Sequence, residues 1–418
     1  MTTDHDPALQ QLGEGGAEVS DPGRELRGRP AEVSWDFARQ VAHAAGTPLR
    51  AVSRSLSDAD GLTLAAPLVS TVAVPPVDRS AMDGFAVRGT GPWRVVGHVG
   101  IRCVDLVMLE EGEACGIVTG AAVPVDATSV MRSEDSVLLG DRLDGPSEEG
   151  KHIRRAGEEC KAGEQLLPAG VTVDPAVLGL AATVGLNRLT VIPKPRVAAL
   201  VTGDELVHRG PSGSGRVRDA IGPMLPGLIT RAGAVPAPVR HLPDSGADLI
   251  NALDTTDAEL ILVSGSSASG PADHLRPALS ALGAELIVDG VACRPGHPQA
   301  LARLPDGRLV IGLPGNPFAA LVAFLTLGVS ALLRMRGLPL PSLTLTPIPG
   351  GLQCHPRSTR LVPVRLEPYG AVPVGHGGSA MLRGPAAADA LAVVDPGPAE
   401  AIAARLLPLD PGARPWAV

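Results

Sequence analysis

Three continuous apolar runs, each closed by small or acidic residues, organise the middle of the chain. Arg196-Val-Ala-Ala-Leu-Val201 leads into Thr202-Gly203-Asp204-Glu205, and Ala258-Glu-Leu-Ile-Leu-Val263 leads into Ser264-Gly265-Ser266-Ser267-Ala268-Ser269-Gly270. Leu309-Val-Ile-Gly-Leu313 leads into Pro314-Gly315-Asn316-Pro317. Runs without polar alternation suit strands covered on both faces, so they predict a parallel sheet. Segments of helical character fall between them, at about 222–232 and 244–253, and another follows at 273–282. The alternation predicts a three-layer α/β unit with an open, mostly parallel sheet. Ligands of such sheets bind outside the carboxyl ends of the strands, so the three loops are expected to converge on one crevice. Pro317 at a first helical position, before an apolar helix, would aim backbone N–H groups and the positive helix end at one spot, an anion cradle. An ordinary turn with Asn316 as N-cap is the alternative for the same residues.

The pattern changes on either side. Residues 1–30, rich in Gly, Asp and Glu, predict a disordered tail. Ser34 is placed to cap a helix carrying Trp35, Phe37, Val41 and Ala42. Residues 31–54, which hold that helix, and 146–190, which hold a helix at Leu178–Val184, make a helical linker domain. Between them, 55–145 read as a β-rich inserted domain, with Trp93–His98 and Gly116–Thr119 as strands between Gly/Pro turns. The α/β domain spans 191–337. A Pro-rich break, Leu338-Pro-Leu-Pro341, opens a last β-barrel-like domain, 338–418, with a strand at Leu361–Leu366.

Bulk chemistry narrows the function. With 418 residues, 44% of them apolar, the chain can bury several cores. A net charge of −8 and the absence of Lys/Arg runs argue against nucleic acid or an anionic membrane as partner. No apolar stretch reads as a bilayer span, and the acidic start Met1-Thr-Thr-Asp-His-Asp6 has no signal-peptide core, so the expected compartment is the cytoplasm. Cys103, Cys115, Cys160, Cys293 and Cys354 are scattered, which indicates neither a disulfide framework nor a structural zinc site, and Cys354-His355 reads as loop. Lysine occurs only at 151, 161 and 194, which excludes a P-loop or Schiff-base lysine in the crevice and leaves arginine to supply cationic contacts.

One string makes the chain recognisable. Pro75-Pro-Val-Asp-Arg-Ser-Ala-Met-Asp-Gly-Phe-Ala-Val87, in which Asp83-Gly84 alone reads as a tight turn, resembles the Ser-Ala-Met-Asp-Gly-Tyr-Ala signature of the molybdopterin molybdenumtransferases. This is the MoeA family, which includes the molybdenum-insertion domain of gephyrin. Further matches follow in the family's order: Ile117-Val-Thr-Gly-Ala121, Ile153-Arg154, Gly157-Glu158, Ala162-Gly163-Glu164, Thr202-Gly-Asp-Glu-Leu206, Arg294-Pro-Gly-His-Pro298 and Leu313-Pro-Gly-Asn-Pro317. They cover roughly residues 31–410.

The resemblance implies a homodimer of four-domain subunits that places molybdate on adenylylated molybdopterin and releases AMP with the help of Mg²⁺. An upstream adenylyltransferase and downstream molybdoenzymes are implied as partners. Glu205 and Asp273 are the expected metal ligands, since a metal bridging phosphate and carboxylate oxygens needs hard donors. Asp244 matches a further catalytic position, with a helix N-cap as its plain alternative. Asp83 and Thr119 would reach the partner subunit's crevice. Thr202, Gly203, Asp204, Ser264, Gly265, Ser266, Gly270, Arg294, His297, Pro314, Gly315 and Asn316 are the expected substrate-binding set.

Several positions depart from the family pattern. The glycine loop carries Ser266 in place of a glycine and Ala268 in place of a serine, His297 replaces a lysine, and Asp219-Ala220-Ile221 replaces Asp-Ser-Asn. Thr128 stands where an aspartate is common. The alternative function is therefore a catalytically degenerate relative that binds molybdopterin or serves as a scaffold.

Overall fold

The computed structural model describes residues 32–102, 108–265 and 274–412. The chain divides into two compact units, one holding residues 47–195 and 333–339, the other 32–46, 196–332 and 340–412.

In the second of these, the apolar runs become the strands Arg196–Thr202, Leu260–Ser264 and Leu309–Leu313. They are neighbours and run parallel, with Val201 opposite Ser264 and Ser264 opposite Leu313, so all three end at one level. The strands Ala300–Arg303 and Glu285–Asp289 extend the sheet antiparallel on one side, and Val235–Pro236 and Arg240–Leu242 pair with Arg196–Thr202 on the other. Successive strand side chains point to opposite faces. Ile261, Val263 and Val310 join Leu249, Leu253, Leu275 and Leu279 of the helices Gly246–Thr255 and Leu275–Ala281 in one core. Leu260 and Leu262 point the other way and are equally buried, which is why the sequence shows no alternation.

Local signals fix the helix starts. Ser34 caps Trp35–Ala45, and Asp174 caps Pro175–Thr183 with Pro175 in the first turn. Ser245, not Asp244, caps Gly246–Thr255, so the N-cap reading of Asp244 is corrected. Trp35 is fully buried, and its indole N–H donates to Thr326 Oγ1 at 3.0 Å. That partner lies in a 19-residue helical stretch, Pro317–Met335, in which an 18-residue window has a mean hydropathy of 2.0. This helix is long and apolar enough to cross a membrane, against the sequence expectation, but 83% of that window is buried inside the fold, the setting of a core helix.

A six-stranded C-terminal sheet completes this unit. It buries Ile348, Val364, Ala392, Val394 and Leu406, and takes in one strand from the α/β segment, Cys293–Arg294, parallel to Thr359–Glu367.

The other unit contains a six-stranded sheet in which Gly84–Val87 lies between Ser129–Arg132 and Glu113–Ile117. Asp83-Gly84 is not a hairpin turn: it joins Arg79–Ser80, paired with Ile153–Arg154, to a strand of this different sheet. The strand expected at Gly116–Thr119 ends at Ile117, which leaves Thr119 in the loop beyond.

Candidate active site

The three parallel strands deliver their loops to one edge. Thr202 Oγ1 donates to Ser264 O at 2.8 Å, tying the first loop to the second. Gly265 has φ +88°, and a Cβ there would stand 2.5 Å from Thr202 Oγ1, so only glycine lets these loops close up. A Cβ on Gly315 would come within 3.9 Å of Gly265 Cα, which brings the third loop to the same place. Thr202, Gly203, Asp204, Glu205, Ser264, Gly265, Pro314, Gly315 and Asn316 therefore sit on one rim.

Two carboxylates on this rim are locked together. Asp204 N donates to Asp244 Oδ2 at 3.1 Å, and Asp244 N donates to Asp204 Oδ1 at 3.3 Å. Glu205 is exposed, and its carboxylate has no hydrogen bond or ion pair among the described residues. Ser266, Gly270 and Asp273, with Ala268, lie outside the described residues.

The anion cradle at Pro317 is partly closed. Phe318 N and Ala319 N, first-turn donors of the helix, both donate to Ser379 O, at 2.9 and 3.1 Å, and Asn316 Nδ2 reaches Ser379 Oγ at 3.1 Å. The C-terminal sheet region thus supplies a protein acceptor where the sequence left unpaired N–H groups. Asn316 occupies the N-cap position without a side-chain capping bond.

Beside that contact opens a cavity of about 730 Å³, lined by Arg294, His297, Pro314, Asn316, Arg357 and Ser379 together with Glu32, His355 and Ser358. Its potential is positive. Partial burial, followed by the charges of Arg294, Arg357 and Arg360, holds the His355 imidazole below the ordinary histidine range. His355 Nδ1 accepts from Arg357 N at 3.2 Å and Ser358 N at 3.0 Å, which orients the turn that carries Arg357. His297 Nε2 lies 3.4 Å from Glu32 Oε1, so a carboxylate faces the histidine that stands in the lysine position. Cys293, beneath the cavity, is buried, and burial pushes its thiol up to about 12, which makes it inert.

Asp83 and Thr119 meet in the other unit. Asp83 Oδ1 accepts from Thr119 N at 2.6 Å, and the backbone and then the side-chain hydrogen bond from Thr119 hold the exposed carboxyl below its usual range.

Profile comparisons cover most of the chain: residues 33–185 match the MoeA N-terminal region (domains I and II), 198–334 a probable molybdopterin binding domain, and 351–403 the MoeA C-terminal region (domain IV). The Mycobacterium tuberculosis protein named molybdopterin molybdenumtransferase 2 is 35% identical over 318 residues, 70% of this chain and 77% of its own. This chain belongs to the MoeA family. A Staphylococcus aureus molybdopterin molybdenumtransferase is 29% identical over 312 residues, 71% of this chain and 73% of its own. The crystal structure of a molybdopterin biosynthesis MoeA protein from Pyrococcus horikoshii superposes with a TM-score of 0.76 at 25% identity, covering 91% of this chain and 99% of that one.

In this MoeA chain, sequence reasoning missed Glu32, His355, Arg357, Ser358 and Ser379 as cavity residues. His355, a loop residue by sequence, lines the cavity. The basic cluster His355-Pro-Arg-Ser358 and the segment Gly378-Ser-Ala-Met-Leu382 were available signals, but neither says which cavity the residues line.

Proposed function

We propose that this MoeA-family chain is a transferase of molybdenum cofactor biosynthesis that inserts molybdate into adenylylated molybdopterin and releases AMP. The observation that carries this reading is the cationic cavity at the end of the parallel sheet, where Arg294 and Arg357 flank Asn316 and Ser379. Guanidinium groups and hydroxyls in a concave site suit a tetrahedral oxyanion, and the adjoining rim of small residues leaves space for a pterin phosphate. Arg294 and Arg357 bind the oxyanion and offset its charge. Asn316 and Ser379, held to each other, orient it.

The residues fit Mg²⁺ by donor chemistry, since the rim presents carboxylate oxygens and Glu205 is exposed to solvent. Glu205 and Asp273 would hold the ion, which would neutralise charge on the phosphoanhydride oxygens as AMP leaves. The reciprocal Asp204–Asp244 bonds hold the loop that carries Glu205. Homodimerisation belongs to the same reading, with Asp83 and Thr119 serving the partner subunit's substrate.

The test follows AMP release from adenylylated molybdopterin with molybdate and Mg²⁺, together with reconstitution of a molybdoenzyme. Arg294→Ala and Arg357→Ala should each raise the molybdate KM by about tenfold or more, the scale of one lost charged contact, and Asp273→Ala should abolish turnover. A second reading, a binder with a degenerate site, is favoured by the Ser379 carbonyl on the Phe318 and Ala319 amides and by His297 in the lysine position. Tight substrate binding without AMP release would establish it and overturn the transferase.

A further inference from the structure

We propose that His208, Asp219 and His241 form a binding site for a borderline transition-metal dication such as Zn²⁺, separate in its donors from the carboxylate rim. Among the described residues this is the one group of three potential metal ligands whose donor atoms all lie within 4.8 Å of one another. Asp219 Oδ2 lies 3.0 Å from His241 Nε2 and 3.8 Å from His208 Nδ1. Donors held ~2.0 Å from a tetrahedral Zn²⁺ stand ~3.3 Å apart, and the two distances from Asp219 Oδ2 bracket that spacing.

The carboxylate is prepared for the task. Asp219 is 5% exposed, and its other oxygen, Oδ1, accepts from Ile221 N and Gly222 N, both at 2.9 Å. These bonds fix the plane of the carboxylate and leave Oδ2 aimed at the imidazoles, the outer-shell orientation that metal ligands need. A Cβ on Gly222 would stand 2.4 Å from Oδ2, so the glycine keeps the donor's position open. The two rings lie with centroids 3.7 Å apart and planes tilted by 48°.

The ligands come from three short elements. His208 follows the strand Leu206–Val207, Asp219 follows its parallel partner Val217–Arg218, and His241 lies in Arg240–Leu242 of the main sheet. Both imidazoles are partly solvent-exposed, at 45% and 37%, so an ion has a path in. Two nitrogens and one oxygen select Zn²⁺, Co²⁺ or Ni²⁺ over Mg²⁺, which prefers oxygen alone. With three protein ligands, a fourth position stays open to water. A bound ion would clip the ribbon that follows Glu205 to the sheet.

The test is equilibrium dialysis of the chelator-treated full chain against buffered Zn²⁺, with the visible spectrum of the Co²⁺ form as a second readout. The expected result is one ion per chain, a tetrahedral Co²⁺ spectrum, and at least tenfold weaker binding in both His208→Ala and His241→Ala. Asp219 accepts from the first two N–H groups of the following helix, so Asp219→Ala risks unfolding; the two half-exposed histidines carry the test, with circular dichroism confirming their fold. Less than half an equivalent of Zn²⁺, or affinity unchanged in the double histidine variant, would overturn the site. Loss of Zn²⁺ on Cys354→Ser alone would place the metal elsewhere and overturn it too. The readout is metal binding, so it is independent of whether the chain turns over substrate.

Discussion

Asp204 and Asp244 exchange hydrogen bonds: each backbone N–H donates to the other's carboxylate, at 3.1 and 3.3 Å. The exchange joins the loop after Arg196–Thr202 to the loop before Gly246–Thr255 and sets the backbone that presents Glu205. Asp244→Ala removes the acceptor for Asp204 N and should cost about 1 kcal/mol, read as a lower urea midpoint with an unchanged slope. Asp244→Asn keeps one oxygen acceptor and should recover most of that loss. Equal destabilisation by both would show that the charge, rather than the acceptor, holds the loops.

The Asp83 carboxyl should titrate below its ordinary range because it accepts from Thr119 through backbone and side chain, the backbone bond contributing more. A depressed folded-state pKa stabilises the fold above the unfolded value of about 3.9, and that contribution is lost as pH falls through the folded value. In Thr119→Val the side-chain bond is gone and the backbone bond stays, so the Asp83 pKa should rise yet remain below about 3.9. Carboxyl NMR titration reads it directly. No rise would mean that the hydroxyl contributes nothing.

Gly265→Ala should be costly for two reasons. The φ of +88° is disfavoured for alanine, and the new methyl would meet Thr202 Oγ1 at 2.5 Å. Such strain costs about 1–3 kcal/mol, and relief by rotation of Thr202 would break its bond to Ser264 O. Thermal denaturation of Gly265→Ala alone and with Thr202→Ala separates the terms. A smaller penalty in the double variant is expected, since the clash is removed but the φ strain remains.

Cys293 should resist alkylation in the native protein. Burial pushes its thiol up to about 12, so almost no thiolate exists at pH 8. Among the described cysteines, iodoacetamide followed by peptide mass spectrometry should label the partly exposed Cys354 first and Cys293 only after denaturation. Rapid native labelling of Cys293 would show that the cavity floor opens.

Much of this protein is determined by local pattern. The runs at 196–201, 258–263 and 309–313 read as strands covered on both sides, and Ser34 and Asp174 mark helix starts through bonds within one turn of chain, Pro175 through its fixed φ. The MoeA motifs, being short and ordered, are legible for the same reason. Tertiary structure decided what depends on distant partners. Ser379 closes the helix N-terminus that the sequence left open, because an unpaired N–H is a property of a segment whereas its acceptor lies about 60 residues away. Arg357 and His355 become cavity residues only because Cys293–Arg294 joins the C-terminal sheet. His208, Asp219 and His241, spread over 34 positions with no motif spacing, become neighbours only when two short strands and the sheet edge fold together.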